Sequence, residues 1–180
     1  TTSERKILEY ILSELDKPKN SRKKLVIFTP NPEQISAAIN PNLKNLLNQA
    51  QVALPDGVGI VWGARLLGKP IYARITGVDF MKTLLDSVSK QPVVTGFLGG
   101  HRGVAEEAVQ CLLSEFPNLR VGYVSDAYEE QKMIHSDIDI LFVGYGFPKQ
   151  EKWIIAHKNE IPATVIMAVG GSFDFLSGKV

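Results

Sequence analysis

One stretch constrains the fold of this chain more than any other: DIDILFVGYGFPKQEKW, which ends at Trp153. It begins with an apolar run of β-forming residues over 138–143, interrupted only by Asp139, and two glycines then break the run. Pro148 opens a helical pattern, because a proline in the first helical turn lacks an N–H that the helix does not use. Together these features predict a buried parallel strand, a glycine turn and a helix.

The glycine turn is a candidate binding site. It follows the carboxyl end of a strand, and open α/β sheets bind ligands at that edge. Free N–H groups at the start of the next helix would face a phosphate. Gly144, Gly146 and Pro148 are therefore candidate backbone contacts, and Lys149 and Gln150 candidate side-chain contacts. An ordinary turn followed by a solvated KQEK run explains the same residues, and this segment alone does not separate the two.

Strands and helices alternate regularly from Val93 to Val169. The apolar runs predict strands at Val93–Leu98, Leu119–Val124, Ile138–Val143 and Ala163–Val169. The segments between them predict helices at Val104–Phe116, Glu129–His135 and Pro148–Lys158. This alternation implies right-handed crossovers and a Rossmann-like, doubly wound, mostly parallel α/β sheet with helices on both faces. Four strand ends would line one edge as a nucleotide-sized cleft: Gly99–Gly100, Ser125–Asp126, Gly144–Gly146 and Gly170–Gly171.

The first part of the chain adds two shorter strands, Leu25–Phe28 and Val52–Leu54. The first runs into a loop with two prolines, which hold Thr29 and Asn31 extended and present them rigidly. Asn31 is also a suitable cap for a helix at Glu33–Ile39, and both interpretations hold together. A further helix is predicted at Leu43–Ala50.

Asp56 and Arg74 each have two interpretations. Asp56 either caps a helix that begins near Val58 or serves as a base beside the Thr29 loop, and propensity favours the cap. Arg74 lies in an irregular segment, Gly68–Thr76, and is either a phosphate clamp or part of a surface ion pair. A lone arginine is usually the latter.

Length, charge and cysteine content exclude several classes of protein. The 180 residues suit one domain, and a formal net charge of +1 gives no reason to expect nucleic acid. The single cysteine, Cys111, excludes an internal disulfide and fits a reducing compartment; its spacing predicts packing in the core. A basic run over 17–24 is expected to be a solvated loop. The sequence shows neither a signal peptide nor an apolar run long enough to span a membrane.

Two motifs suggest other chemistry but fit it poorly. The GGHRG turn at 99–103 differs from the dinucleotide fingerprint and comes midway along the chain, so an NAD-dependent oxidoreductase is a weak alternative. The D-x-D triplet at Asp137–Asp139 enters a strand, which places it at the amino end, away from the cleft. The three histidines have no metal-ligand spacing, and we expect neither a metal nor a cofactor.

Six segments in this order resemble the WecG/TagA/CpsF glycosyltransferase family (glycosyltransferase family 26). They are TPN at 29–31, PDGVGIVW at 55–62, R-x-T-G-V-D at 74–79, FLGG at 97–100, GYGFPKQEKWI at 144–154 and VGGSFDFLSGK at 169–179. The resemblance covers nearly the whole chain. It implies an inverting, metal-independent transfer of an N-acetylmannosamine-type sugar from a UDP donor to a polyprenyl-diphosphate-linked N-acetylglucosamine, at the cytoplasmic face of the membrane.

The resemblance also implies roles for individual residues. Asp56 becomes the candidate general base for the acceptor hydroxyl, with Thr29 and Asn31 positioning sugar hydroxyls beside it. Arg74 would offset diphosphate charge. The nucleotide would be held by the turns Gly99–Gly100 and Gly144–Pro148, by Lys149, Gln150 and Asp174, and by Tyr128 stacking on the base.

Family members continue past the GSFD segment into a basic C-terminal stretch, whereas this chain ends at Val180. We therefore expect one glycosyltransferase domain over 1–180 that lacks this appendage. Without it, the chain is expected to be weakly active, or a nucleotide-binding module that has lost catalysis. The expected partners are the UDP-sugar and the lipid-linked acceptor. A homo-oligomer is left open by the sequence.

Overall fold

A single parallel sheet organises the chain. The structure is a computed structural model that describes residues 3–69, 71 and 74–178. Parts of two predicted segments, residues 70, 72 and 73 of Gly68–Thr76 and Lys179 of the last motif, lie outside the described residues. The strands are β1 (Leu25–Phe28), β2 (Val52–Ala53), β3 (Val94–Gly99), β4 (Arg120–Ser125), β5 (Ile140–Gly144) and β6 (Val165–Ala168). Within the described chain all pairings are parallel, in the order β2-β1-β6-β5-β3-β4.

Helices fill the connections on both faces. They are α1 (Glu4–Leu15), α2 (Pro32–Ala37), α3 (Pro41–Leu47), α4 (Val58–Leu66), α5 (Gly77–Ser89), α6 (Val104–Glu115), α7 (Glu130–Ile134), α8 (Lys149–His157) and α9 (Ser172–Leu176), with a short 3-10 turn at Lys19–Ser21. The predicted Rossmann-like, doubly wound fold is confirmed.

The apolar core lies in two layers. One cluster joins the sheet to α1, α5, α6 and α9 through side chains such as Ile11, Leu84 and Phe173. The other joins the opposite face to α7 and α8 through Met133 and Ile154, with α3 packed beside them. Nearly every side chain of β1, β5 and β6 is buried, because both faces of these strands are covered.

This layering sends neighbouring loops toward opposite faces at two places along the carboxyl edge of the sheet. The loop after β3 leads to α6 on the first face, whereas the loop after its neighbour β5 leads to α8 on the second. The loops after the neighbours β6 and β1 diverge in the same way, toward α9 and toward α2 and α3. Ligands of doubly wound folds bind where neighbouring loops diverge.

Several helix starts differ from the predictions by one or two residues. The third helix begins at Pro41 rather than Leu43, because the Asn40 side chain accepts a hydrogen bond from the Asn42 N–H at 2.9 Å and caps it. Pro148 lies just before α8, at its N-cap, and the helix starts at Lys149.

The prediction that Cys111 packs in the core is wrong. Its neighbours Ala108 and Leu112 on α6 are buried, but Cys111 is exposed. The buried stripe of α6 continues through Val104, Ala105 and Val109, which turns position 111 toward solvent.

The prediction of a solvated basic loop at 17–24 holds only in part: residues 18–21 and 23 are exposed, but four of the five cations bind the protein itself. Arg22 Nη1 donates to Asp139 Oδ1 at 2.6 Å, and Lys19 pairs with Asp137. Lys24 Nζ donates to two backbone carbonyls, and burial lowers the pKa of Lys24. The D-x-D triplet thus lies at the amino edge of the sheet, as predicted, where it anchors the basic segment.

Candidate functional site

A cleft of about 490 Å³ lies at the carboxyl edge of the sheet, where the loops after β1, β2, β5 and β6 meet. Five of the predicted site residues line it, and they come from segments that are far apart in the sequence. The lining residues are Thr29, Asn31, Glu33, Gln34, Asp56, Gly77, Val78, Gly146, Phe147, Gln150, Val169, Gly170, Gly171, Ser172 and Phe175.

Thr29 and Asn31 form one wall. The Thr29 hydroxyl donates to the Ala168 carbonyl at 3.3 Å, which ties the end of β1 to the end of β6. The Asn31 side chain accepts from the Gln34 N–H at 3.0 Å and caps α2, with Pro32 in the first helical turn. Both interpretations of Asn31 therefore hold, since it caps a helix and also lines the cleft.

Asp56 does not cap α4. That position is occupied by Gly57, and the Asp56 backbone N–H is held by the Pro30 carbonyl at 2.9 Å. The Asp56 carboxylate turns instead toward the start of α5, where Oδ2 accepts from the Gly77 N–H at 3.5 Å. Gly77 packs in turn on Thr29, because a Cβ added at Gly77 would come within 3.2 Å of Thr29 Cγ2. The cap that propensity favours is thus replaced by a carboxylate in the cleft.

Arg74 lies beside the cleft, where its side chain faces the Asp56 carboxylate. Its Nε lies 3.6 Å from Asp56 Oδ1, and both side chains remain partly open to solvent. The two interpretations of Arg74, a surface ion pair and a phosphate clamp, are therefore compatible, since its ion-pair partner Asp56 lines the cleft.

Gln150 forms the floor of the cleft. Its Oε1 accepts from the Gly170 N–H at 3.0 Å, and its Nε2 donates to Glu151 Oε1 at 2.9 Å. Only 1% of Gln150 is exposed, although it lies in the KQEK run. The side chain connects the loops after β5 and β6, so these loops and the cleft floor form one hydrogen-bonded unit.

Glu151 is a residue that sequence reasoning missed. It is fully buried, and burial raises the pKa of its carboxyl group. Its Oε2 lacks a hydrogen-bond partner among the described residues. A glutamate in a polar run gives no sequence signal of burial, because helix phase and neighbouring elements decide which side of α8 faces inward.

The glycines after β3 lie at the second place where neighbouring loops diverge, between β3 and β5. The Gly100 N–H donates to the Gly144 carbonyl at 2.9 Å, and Gly99 adopts a φ of 108°. A Cβ at Gly99 would lie 2.9 Å from the Gly144 carbonyl carbon, so the residue must be glycine for the β3 and β5 loops to approach. The next turn is held by Asp126, whose Oδ2 accepts from the Gly103 N–H at 2.9 Å.

Aromatic side chains lie beside these loops and along α8. The ring centroid of Tyr128 lies 5.0 Å from those of Trp153 and His157. Burial raises the pKa of Tyr145 to about 12, and Lys149 Nζ lies 4.7 Å from the Tyr145 ring centroid. Tyr128, Gly99, Gly100 and Lys149 thus belong to this side rather than to the lining of the Thr29 cleft.

Asp174 lies on α9, whose residues Ser172 and Phe175 line the cleft. The Asp174 side chain borders the cleft at Gly171 and is not part of its lining.

The sequence of the whole chain matches one known protein family. The model of the glycosyl transferase WecG/TagA/CpsF family covers residues 1–180. The chain belongs to the WecG/TagA/CpsF glycosyltransferase family.

Curated relatives in this family carry a specific name. A protein of Bacillus spizizenii (strain W23) named N-acetylglucosaminyldiphosphoundecaprenol N-acetyl-beta-D-mannosaminyltransferase is 36% identical over 161 residues, 86% of this chain and 63% of the relative. A protein of the same name in Staphylococcus aureus (strain NCTC 8325) is 34% identical over 166 residues, 88% of this chain and 65% of the relative. The chain therefore spans slightly less than two thirds of the length of these relatives.

The described residues offer neither a membrane-spanning helix nor a clustered metal site. None of the described helices is long and apolar enough to cross a bilayer. Nor do the described residues include three clustered His, Cys, Asp or Glu side chains arranged to hold a metal ion.

Proposed function

We propose that this chain is the catalytic domain of an inverting, metal-independent transferase. It moves an N-acetylmannosamine-type sugar from a UDP donor to a polyprenyl-diphosphate-linked N-acetylglucosamine, as the names of the relatives suggest. The observation that carries the proposal is the position of Asp56, whose carboxylate lies in a cleft with Thr29, Asn31 and Gln150 and beside Arg74.

Each of these residues has a part in the proposed reaction. Asp56 takes the proton of the acceptor hydroxyl as the hydroxyl oxygen attacks the anomeric carbon. The bond from that carbon to the UDP oxygen breaks, and UDP leaves with the electron pair. Arg74 offsets the charge that develops on the diphosphate. Attack from the face opposite the leaving group inverts the anomeric centre.

The remaining polar groups position the two substrates. Thr29 and Asn31 hold sugar hydroxyls beside Asp56. The backbone of the turns at 99–100 and 144–148, together with Lys149, Gln150 and Asp174, holds the nucleotide, and Tyr128 stacks on the base. The acceptor is a lipid, so we propose that the protein acts at the cytoplasmic face of the membrane. Self-association remains a prediction for sedimentation velocity to test.

A transfer assay tests the proposal. Radiolabelled UDP-N-acetylmannosamine and a short-chain polyprenyl-diphosphate N-acetylglucosamine are incubated with the protein in excess EDTA. We expect a disaccharide lipid, with inversion visible in the one-bond carbon–proton coupling at the anomeric centre of the product. Activity that EDTA abolishes would contradict the metal-independent mechanism, and retained configuration would contradict direct displacement.

Calorimetric titration separates the alternative functions. UDP binding without transfer would favour a catalytically inactive nucleotide-binding module. Tight NAD binding without a response to UDP would favour an oxidoreductase and end the transferase proposal.

A further inference from the structure

Helix α4 presents an apolar surface that the proposed reaction does not use. All nine residues of α4 remain partly or fully exposed, although most of them are apolar. Val58, Trp62 and Leu66 recur every four residues and so share one side of the helix, which we call the α4 apolar face. These side chains are 62% to 87% exposed, as is Leu67 just after the helix. Large apolar side chains clustered in this way on a surface mark an interaction site.

The charges on this segment are all positive. Residues 57–69 contain Arg65 and Lys69 and no acidic residue. Arg65 shares the α4 apolar face, and its guanidinium carbon lies 5.9 Å from the centre of the Trp62 ring. Tryptophan, leucine and basic residues on one helix are the composition of segments that lie at the surface of anionic membranes.

The α4 apolar face begins at the cleft. Gly57 separates Asp56 from the helix, and Gly59 packs against Pro32, the first residue of α2, so that the face adjoins the Thr29 loop. An apolar groove of about 1090 Å³, lined mainly by α1 and β2 and also by Ile35, Pro55 and Ile60, lies beside α4. A surface that carries α4 would therefore lie next to the carboxylate proposed as the base.

We propose that the α4 apolar face inserts into the headgroup–acyl boundary of an anionic lipid bilayer. This rests on the proposed function in one respect. The acceptor sugar of a polyprenyl diphosphate projects from the bilayer surface, and a membrane-bound α4 would hold the Asp56 cleft at the level of that sugar. Trp62 and Leu66 enter the boundary, while Arg65 and Lys69 contact lipid phosphates. Affinity then falls with increasing salt, because the basic contacts are screened.

Vesicle co-sedimentation tests the surface directly. The protein is mixed with vesicles of phosphatidylcholine alone or of phosphatidylcholine with phosphatidylglycerol, and the partition coefficient is measured. We expect binding to the anionic vesicles, a drop of about tenfold or more for the double variant Trp62→Glu, Leu66→Glu, and loss of the anionic preference for Arg65→Glu, Lys69→Glu. Ile134→Glu is the matched control, because it places the same charge at an exposed isoleucine on α7.

Tryptophan fluorescence and hydrodynamic measurements give two further tests of membrane binding. Binding should shift tryptophan emission to the blue in the wild type and not in Trp62→Phe, which keeps most of the affinity. Wild type that ignores anionic vesicles, or a double variant that binds like Ile134→Glu, overturns the proposal. The proposal is also overturned if the protein dimerises without vesicles and the double variant loses the dimer but keeps the wild-type partition coefficient. The face would then bind a second copy of the chain.

The transfer assay with a short-chain, detergent-soluble acceptor distinguishes the two proposals. Vesicle binding without transfer leaves the α4 proposal intact and contradicts the transferase. Transfer to the soluble acceptor without vesicle binding supports the transferase and contradicts the α4 proposal.

Discussion

At the level of single residues, the proposed chemistry depends on how the carboxylate of Asp56 is held. It accepts weakly from the Gly77 N–H at 3.5 Å and faces Arg74 at 3.6 Å, so it keeps capacity for a proton from the acceptor. Gln150 is held far more rigidly, by two hydrogen bonds at 3.0 Å or less. A base with only two long contacts, above a floor held by short hydrogen bonds, suits a site in which one substrate is bound before the other is deprotonated.

Asp56→Asn tests the base. The amide still accepts from Gly77 but no longer takes a proton, so we expect turnover to fall by about 100-fold or more while UDP affinity changes little. Steady-state kinetics and calorimetry measure the two quantities. Asp86→Asn, at an exposed aspartate paired with Lys90 on α5, is the control and should leave both unchanged. Equal turnover in Asp56→Asn would assign Asp56 a purely structural role.

Glu151→Gln tests the buried carboxyl beside Gln150. Burial raises the pKa of Glu151 above its ordinary 4.5, so the folded protein binds its proton more tightly than the unfolded chain does. The wild type should therefore lose stability relative to Glu151→Gln as the pH rises from 4.5 through the raised folded pKa. Urea unfolding of both proteins across pH 4 to 8 measures the difference. Parallel pH profiles would show that Glu151 does not titrate in this range.

At the level of elements, the cleft exists because neighbouring loops diverge. The loop after β5 must pass close to α9, and Gly144 allows this: a Cβ there would lie 2.8 Å from Phe173 Cδ2 and 3.1 Å from the Gly170 carbonyl oxygen. Phe173 is a fully buried member of the core, so it has little room to move. The glycine thus sets the spacing between the end of β5 and the helix that borders the cleft.

Gly144→Ala is expected to destabilise the protein by about 1 to 3 kcal/mol, because α9 must shift or Phe173 must leave its rotamer. UDP affinity should fall with it. Gly63→Ala is the matched control in α4, where an added Cβ meets nothing within 4 Å. It should change stability by about 1 kcal/mol or less, in the stabilising direction. Urea unfolding and calorimetry decide the matter, and equal stabilities for the two variants would contradict the proposed crowding at Gly144.

At the level of the whole molecule, the two edges of the sheet have different tasks. The carboxyl edge carries the cleft, and the amino edge is fastened by Asp139, which is buried beside Arg22 and accepts from the Val94 N–H at 2.9 Å. The basic segment near the N-terminus is thereby fixed to the centre of the sheet. The ion pair that stabilises the amino edge thus lies a full strand length away from the proposed active site.

Asp139→Asn tests this separation. It leaves Arg22 partly buried without its counter-charge, so we expect a loss of about 3 kcal/mol of unfolding free energy with near-normal turnover per folded molecule. Asp137→Asn removes an exposed partner of Lys19 and should cost about 1 kcal/mol or less. Thermal unfolding and kinetics test both. A turnover that collapses in Asp139→Asn and recovers with added divalent metal would revive the D-x-D interpretation.

The sequence by itself determined the fold class and the edge of the sheet at which the candidate site lies. Hydrophobic periodicity and glycine turns are local signals, and parallel strands bring their carboxyl ends together. Family motifs added Asp56, Arg74 and Gln150 as candidates. The tertiary structure decided what those local signals leave open: Asp56 turns into the cleft instead of capping α4, Glu151 is buried in a polar run, and Cys111 faces solvent. Each of these depends on which neighbouring element covers a side chain, and that is fixed by packing between segments far apart in the chain.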